Sequence, residues 1–276
     1  MAEDMALTHL DRAWKSTCKI VLGDEIGDLL EYRDYLKRYT DPMEVRKSSL
    51  SGVDVTISSG RFSEDARFLS NSEAAEYDRK LAAMPLDINS IKDLDSLVEA
   101  VSERVAYAGN IVLGNSSGVL RSHRVVNTHY ALECQDIYDG KYVAYASSMR
   151  CPEYFFGGGL GGNAQFCIKS QENYKMVRCM ETMHINVASD CYYSTSLENC
   201  SDCIFSFNQR SKHFLIGNLP LPKDKYLGLK GKLLAEIRDT LERDKSLVSI
   251  AEIVAGASGV VGARRTSAGG VGDSHG

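Results

Sequence analysis

The chain has 276 residues and a mass of 30.4 kDa, enough for two modest domains or one domain with an appendage. Apolar residues make up 43% and charged residues 25%, the balance of a globular chain rather than a disordered or collagen-like one. Thirty-two Lys and Arg against thirty-seven Asp and Glu leave a net charge of −5, which argues against a protein built to coat nucleic acid.

No stretch approaches eighteen uninterrupted apolar residues, so no membrane-spanning helix is expected. The first ten residues are acidic and carry no apolar run of the signal-peptide kind. The eight cysteines are therefore expected to be reduced thiols in the cytoplasm.

Residues 1–108 read as a mainly helical N-terminal domain. Leu7, Leu10, Trp14, Cys18 and Val21 follow a helical stripe, as do Ile26, Leu29, Leu30 and Leu36. Asp41-Pro42 breaks the pattern. Val53, Val55 and Ile57 alternate as one short strand. Ser70 and Glu73 have capping-box spacing and open a helix running to about Met84, which Pro85 ends. Ile91, Leu94, Leu97, Val98, Val101 and Val105 give a last stripe.

From about residue 110 a six-residue beat takes over. The column that starts at Leu113 and steps by six is apolar at sixteen of nineteen positions. The column from Asn110 is Gly, Ala, Ser, Thr or Cys at fourteen of nineteen. Neither the 3.6 period of a helix nor the 2.0 period of a strand produces this. A second period of twelve lies over the first. Residues flanking alternate apolar positions are mainly aromatic or aliphatic, and those flanking the others are mainly polar.

The pattern predicts a parallel β-solenoid over residues 109–221, with two short strands and twelve residues per turn. Each strand sends its central residue inward and its neighbours outward, with small residues at the bends. Nine turns at strand spacing make a rod on the order of 40 Å long. A turn of twenty-four residues also keeps the two faces apart.

Residues 222–254 follow as a helical segment with Pro222 in its first turn and a stripe of Tyr226, Leu229, Leu233, Leu234, Ile237 and Leu241. Residues 255–276 shift to Gly, Ala, Ser and Val, the composition of a disordered tail. The expected fold class is thus α+β: a solenoid with a helical N-terminal domain and a C-terminal capping helix.

The small-x-x-Cys-x-x-small beat resembles the beetle antifreeze solenoid. That family carries outward Thr-x-Thr arrays and cysteine pairs bridged within each turn. Neither is present here, so the resemblance implies a coil and no ice binding. The stretch Ser206–Asn218 (SFNQRSKHFLIGN), with Leu221–Tyr226 (LPKDKY) after it, resembles the end of uncharacterised prokaryotic β-solenoid repeat proteins. That resemblance spans residues 110–235 and implies no particular activity.

The outward column Tyr130, Tyr142, Tyr154, Phe156, Phe166, Ile168, Tyr192 and Phe214 is the candidate interaction face. Soluble proteins seldom leave a large apolar patch bare, so something must cover it. Either the chain's own helices fold back along the rod, or a second subunit or another protein packs there. An open solenoid end would stack end to end.

Candidate chemistry is thinner. Cys167, Cys179, Cys191 and Cys203 lie twelve apart, and Cys200 forms a C-x-x-C pair with Cys203. Stacked thiolates could hold a metal or cluster, but an inward column of small thiols also reads as packing. Gly157–Gly162 fits G-x-G-x-x-G without the strand–helix context that a dinucleotide needs, and reads as a loosened turn. Arg178, Asp190 and Asp202 interrupt the aromatic column in successive turns, where stacked carboxylates beside an arginine could do acid–base work, as on polysaccharide-cleaving β-helices. The alternative is an ion-paired, solvated end of the face. Arg264-Arg265 and the run at 210–213 are the only local basic features, too few charges for nucleic-acid affinity.

The leading expectation is a cytoplasmic, non-enzymatic scaffold without cofactor, acting as a homo-oligomer or with a protein partner. A thiolate metal protein and a β-helix enzyme on a sugar or acyl substrate are the alternatives.

Overall fold

A computed structural model of the chain describes residues 2–58, 62–140, 143–150, 155–159, 165, 167–170, 173–178 and 180–254. Helix α1 (Ala2–Leu22) leads through a run of short helical turns, including α2 (Arg33–Leu36), to Tyr39. An antiparallel hairpin follows, β1 (Met43–Lys47) with β2 (Asp54–Ser58). Strand β3 (Phe68–Ser70) runs parallel to β4 (Tyr107–Gly109). Between them stand α3 (Ala74–Ala82) and α4 (Leu94–Ser102). Glu73 reaches back to the Ser70 N–H at 2.7 Å, the capping box that the sequence carries.

The solenoid is present, with a twelve-residue turn. Its described strands are β5 (Val112–Leu113), β6 (His123–Val126), β7 (Gln135–Tyr138), β8 (Ser147–Arg150), β9 (Asn173–Met176), β10 (Met183–Tyr192), β11 (Thr195–Ile204), β12 (Phe207–Arg210) and β13 (His213–Ile216). Neighbours pair in parallel with a twelve-residue offset, as in His123 with Gln135 and Ile185 with Leu197. The twenty-four-residue turn is excluded. The first coil is one residue longer, since Val112 pairs with Val125. About seven turns are traced among the described residues, against the nine that the repeat arithmetic gives.

The coil has four sides rather than two strands and two bends. From 122 to 146 every third residue is buried: Ser122, Val125, Thr128, Ala131, Cys134, Ile137, Gly140, Val143 and Ala146. The residue before each inward one from Ser122 to Gly140 has a positive φ, among them Arg124 at 57°, Tyr130 at 62° and Glu133 at 49°. The pattern returns from Val187 to Phe205. A left-handed residue costs an L side chain about 1–2 kcal/mol, so this strain is repeated four times per turn. It resets the side-chain alternation, which turns the strand period of two into a period of three.

The small column faces inward as well, and its hydroxyls have a task. The Thr128 N–H donates to Ser116 Oγ at 3.1 Å, Cys134 N–H to Ser122 Oγ at 3.0 Å, and Ser206 N–H to Ser194 Oγ at 3.0 Å. Each is a bond to the coil before. Ser122, Thr128, Ser194 and Ser206 in turn donate to the carbonyl two residues back. Backbone groups that the left-handed corners leave out of the ladder are satisfied this way.

Two apolar cores share one solenoid wall. Inside the coil lie Val125, Ile137, Val143, Phe155, Leu197 and Leu215. Outside it, Leu132, Ala144, Phe156, Ile168, Met180, Tyr192 and Ile204 pack with Leu10, Trp14, Cys18, Leu29 and Leu36. Tyr226, Ile237 and Leu241 of α5 (Lys223–Asp244) and Ile250 of α6 (Ile250–Val254) complete that outer core. Helices α1 and α5 thus lie along the wall.

The ends are closed by asparagine amides. At the start, Asn110 accepts from the Thr56 N–H at 2.8 Å and donates to the Asp54 carbonyl at 2.9 Å, tying the first coil to the β1–β2 hairpin. Gly109 is required there because a Cβ would collide with Val55 and lie 2.6 Å from the Thr56 carbonyl. At the finish, Asn218 accepts from the Phe207 N–H and donates to the Phe207 carbonyl, both at 2.9 Å. The chain then folds back as β14 (Leu219–Pro220) against β13. The inward positions of that last coil include Gln209 and Lys212 in place of Leu197 and Cys200. A polar floor and an amide-capped edge oppose the end-to-end stacking that an open solenoid would allow.

Candidate functional site

The outward aromatic column lies mostly inside the molecule. Phe156, Ile168 and Tyr192 are buried, and Trp14 meets Phe156 edge-on at 5.4 Å. Tyr130 is half-buried and stacks on His9 at 4.5 Å; Phe214 is half-buried against Tyr226. Tyr142, Tyr154 and Phe166 lie outside the described residues. At Phe156, Ile168 and Tyr192 the chain's own helices are the cover: burying that much apolar area within one chain costs no association entropy, and α1 and α5 supply the length to do it.

Arg178, Asp190 and Asp202 fall on successive coils, as their spacing requires. Asp202 is an attachment point for α5, paired with Lys230 at 3.3 Å. The Lys230 ammonium also lies over the Tyr192 and Tyr226 rings at 5.0 and 5.8 Å. Arg178 is exposed and Asp190 half-buried. Among the described residues, Lys230 at Asp202 is the ionic partner these three have, and it belongs to the attachment of α5.

The thiols behave like the hydroxyls of the neighbouring column. Cys191, Cys200 and Cys203 each donate to the carbonyl two residues back, at 3.2–3.4 Å. Cys191 stacks on Cys203 in register, and that contact, together with burial, holds Cys191 protonated. Burial pushes Cys134 up to about 12. Metal ligation needs thiolates, which are disfavoured at Cys134 and Cys191, while the contact with Cys191 draws the Cys203 thiol down. Among the described residues no group of three or more His, Cys, Asp or Glu is arranged to hold a metal ion. Cys167 is buried, and Cys179 lies outside the described residues.

The glycine run is a place of close approach. A Cβ on Gly157 would come within 2.7 Å of the Lys169 Cα, and one on Gly158 would collide with Thr40. Gly157 lets the next coil approach, and Gly158 lets Thr40 lie against the wall. Residues 160–162 of the run lie outside the described residues.

The strongest polar constellation is one that the sequence reading passed over. A single outward column carries Arg121, Glu133, Tyr145, Gly157, Lys169, Glu181, Tyr193 and Phe205, each twelve apart. The segment 29–40 lies upon it. Glu133 receives Arg33 at 2.7 Å, Lys37 at 2.8 Å and Arg121 at 3.4 Å. Desolvation pushes the Glu133 carboxyl up, but Lys37 and Arg33 outweigh it and hold it below the usual range.

Three coils further, Lys169 and Glu181 form an ion pair at 3.1 Å with side chains only 1% and 2% exposed. The Lys169 ammonium also sits over the rings of Tyr35 and Tyr39 at 4.3 and 4.8 Å. Glu181 accepts further hydrogen bonds from the Tyr35 hydroxyl at 3.3 Å and the Ile250 N–H at 3.0 Å. Burial raises the Glu181 carboxyl and lowers the Lys169 ammonium from their ordinary values. Burial likewise raises the Tyr35 and Tyr193 hydroxyls.

Arg38 completes the arrangement from the other side, donating to the Leu247 carbonyl, to Ser246 and to Glu252. The pair therefore fastens three remote segments: the N-terminal turns, the solenoid wall and the C-terminal helix. A general acid or base must reach its proton's destination, and these groups are sealed from solvent. The signal that would have found them is the twelve-residue spacing of Lys169 to Glu181 and of Arg121 to Glu133, opposite charges stacked on one column.

No family model, curated protein or solved structure matches the chain. The twelve-residue coil itself is what the structure supports of the resemblances drawn from the repeat.

Proposed function

We propose that the protein is a non-enzymatic scaffold: a self-covered solenoid spine that presents a helical arm, residues 73–105, for association with protein. The observation that carries this is the apolar surface of the arm. Ile88, Leu94 and Val98 are 78%, 72% and 57% exposed, and neither α3 nor α4 has a buried residue. An amphipathic helix with its apolar stripe in water is a binding element in waiting. Arg67 holds the arm at its base through the Glu103 carbonyl, and Tyr77 of α3 closes on the Arg104 carbonyl within it.

The rest of the chain supports a passive spine. Its buried Lys169–Glu181 pair is locked in a structural clamp, and its described thiols are buried. Six buried, unbridged thiols fit a reducing compartment such as the cytoplasm. Among the described residues no helix is long and apolar enough to cross a membrane.

The test is isolation of tagged wild type and of Leu94→Glu/Val98→Glu from the source cells. Proteins retained by wild type, further copies of the chain included, are expected to be lost from the variant, with unchanged thermal unfolding. Identical sets from both would overturn the reading.

A further inference from the structure

The two ends of the rod carry opposite charge beside exposed apolar side chains. On the arm, α4 sets Leu94, Leu97 and Val98 in solvent. Residues 93–103 hold four carboxylates, Asp93, Asp95, Glu99 and Glu103, and no basic residue. The other end is the reverse. Residues 208–232 hold six Lys and Arg against one acid, Asp224. Two of the six are engaged within the chain, Arg210 with Glu198 and Lys230 with Asp202. Lys212, Lys223, Lys225 and Lys232 are exposed.

Apolar side chains stand among these lysines. Leu219 and Leu227 are 61% and 48% exposed, and so is Phe207, whose backbone is bound to Asn218 next to Leu219. The arm leaves the chain before the first coil, and the basic patch follows the last one. The whole coil stack separates them, about 35 Å for seven turns at strand spacing. One copy's arm therefore cannot cover its own basic end.

We propose that the arm of one copy docks on the basic C-terminal end of a second copy of this chain, head to tail. This rests on the arm being a protein-binding element and names its partner. The contact joins two different surfaces, so each copy keeps one free arm and one free end, and growth continues into a chain or closes as a ring. Side chains make it rather than strand addition, because Asn218 and Gln209 already occupy the Phe207 carbonyl at the last edge. Opposite charges on the two surfaces fix the orientation: arm against arm and end against end repel.

The experiment is sedimentation velocity of the full-length chain over a range of concentration, at low and high ionic strength, on three forms. They are wild type, Asp95→Lys/Glu99→Lys/Glu103→Lys on the arm, and Lys212→Glu/Lys223→Glu/Lys225→Glu/Lys232→Glu on the end. Wild type is expected to form species that grow with concentration and shrink with salt. Each variant alone is expected to associate at least tenfold more weakly, its arm and end now having like charge. An equimolar mixture of the two variants is expected to recover association, since the basic arm of one meets the acidic end of the other. Circular dichroism melts matching wild type establish that both variants fold.

A wild type that stays monomeric overturns the proposal. So do variants that associate as wild type does, or a mixture that fails to recover. If Leu94→Glu/Val98→Glu loses its cellular partners while wild type is monomeric, the arm stands as a binding element and only the head-to-tail pairing fails.

Discussion

Breaking the Lys169–Glu181 pair on one side tests whether it clamps the molecule. Lys169→Met removes a cation from a carboxylate that is 2% exposed and leaves Glu181 with the Tyr35 hydroxyl and the Ile250 N–H as donors. Two neutral donors do not compensate a buried charge, so the expected cost is about 3–5 kcal/mol. Glu181→Gln leaves the ammonium over two tyrosine rings, an environment that returns part of the loss, so its expected cost is about 2–4 kcal/mol. The double variant Lys169→Met/Glu181→Gln carries no buried charge, keeps an acceptor for the Tyr35 hydroxyl and the Ile250 N–H, and is expected within about 1 kcal/mol of wild type. Urea titrations of the four proteins, read as a double-mutant cycle, give a coupling of about 3 kcal/mol or more if the clamp is real. The pH dependence has a definite sign. Burial raises Glu181 above its unfolded value, so its favourable contribution is complete below that value and is lost as pH rises through the folded one. Lys169→Met is therefore expected to lose less stability in mild acid than at neutral pH. Single variants costing under about 1 kcal/mol, or additive effects in the double variant, would refute the argument.

Asn218→Ala removes both amide bonds to Phe207 at a φ of 65°, and is expected to lower stability by about 2 kcal/mol and open the last edge to aggregation. Asn218→Gly, which keeps the backbone but not the bonds, separates the two contributions in a thermal melt. Ser194→Ala orphans the Ser206 N–H inside the coil and is expected to cost about 1–3 kcal/mol, measured by urea unfolding. Gly158→Leu drives a side chain into Thr40 and is expected to cost about 1–3 kcal/mol and to raise amide exchange across residues 33–40. Glu133 has a depressed folded value, so its contribution is present above the unfolded value and lost as pH falls through the folded one. Glu133→Gln is expected to flatten the acid limb of the stability–pH curve, and an unchanged acid limb would remove Glu133 from the account.

Most of the solenoid was legible because its information is local. Val125, Ala131 and Ile137 point into the same core for the same reason, a backbone that repeats every three residues, and the repeat prints itself on the chain. The small column was also visible, though its chemistry was not: Ser122 and Thr128 are small to fit, and hydroxylated to accept from the N–H of the coil after. The left-handed corners left no residue signature. Asp136 and Asn127 suit them, but Tyr130, Glu133 and Phe205 occupy the same positions. The Lys169–Glu181 pair was half legible, since the two residues lie one turn apart on one column. Its third and fourth members, Tyr35 and Ile250, lie 146 and 69 residues from Glu181 in sequence, with no shared period to connect them.

By itself, then, the sequence determined the coil, its inward columns and the need to cover an apolar wall. These follow from periodicity, and a stacked chain places residues twelve apart above one another whatever surrounds it. Only the tertiary structure decided what covers that wall, which charges are sealed beneath residues 29–40, and that the arm is left in water. Those outcomes depend on where non-repeating helices of given length come to rest against the repeat, and packing between remote segments has no period to read.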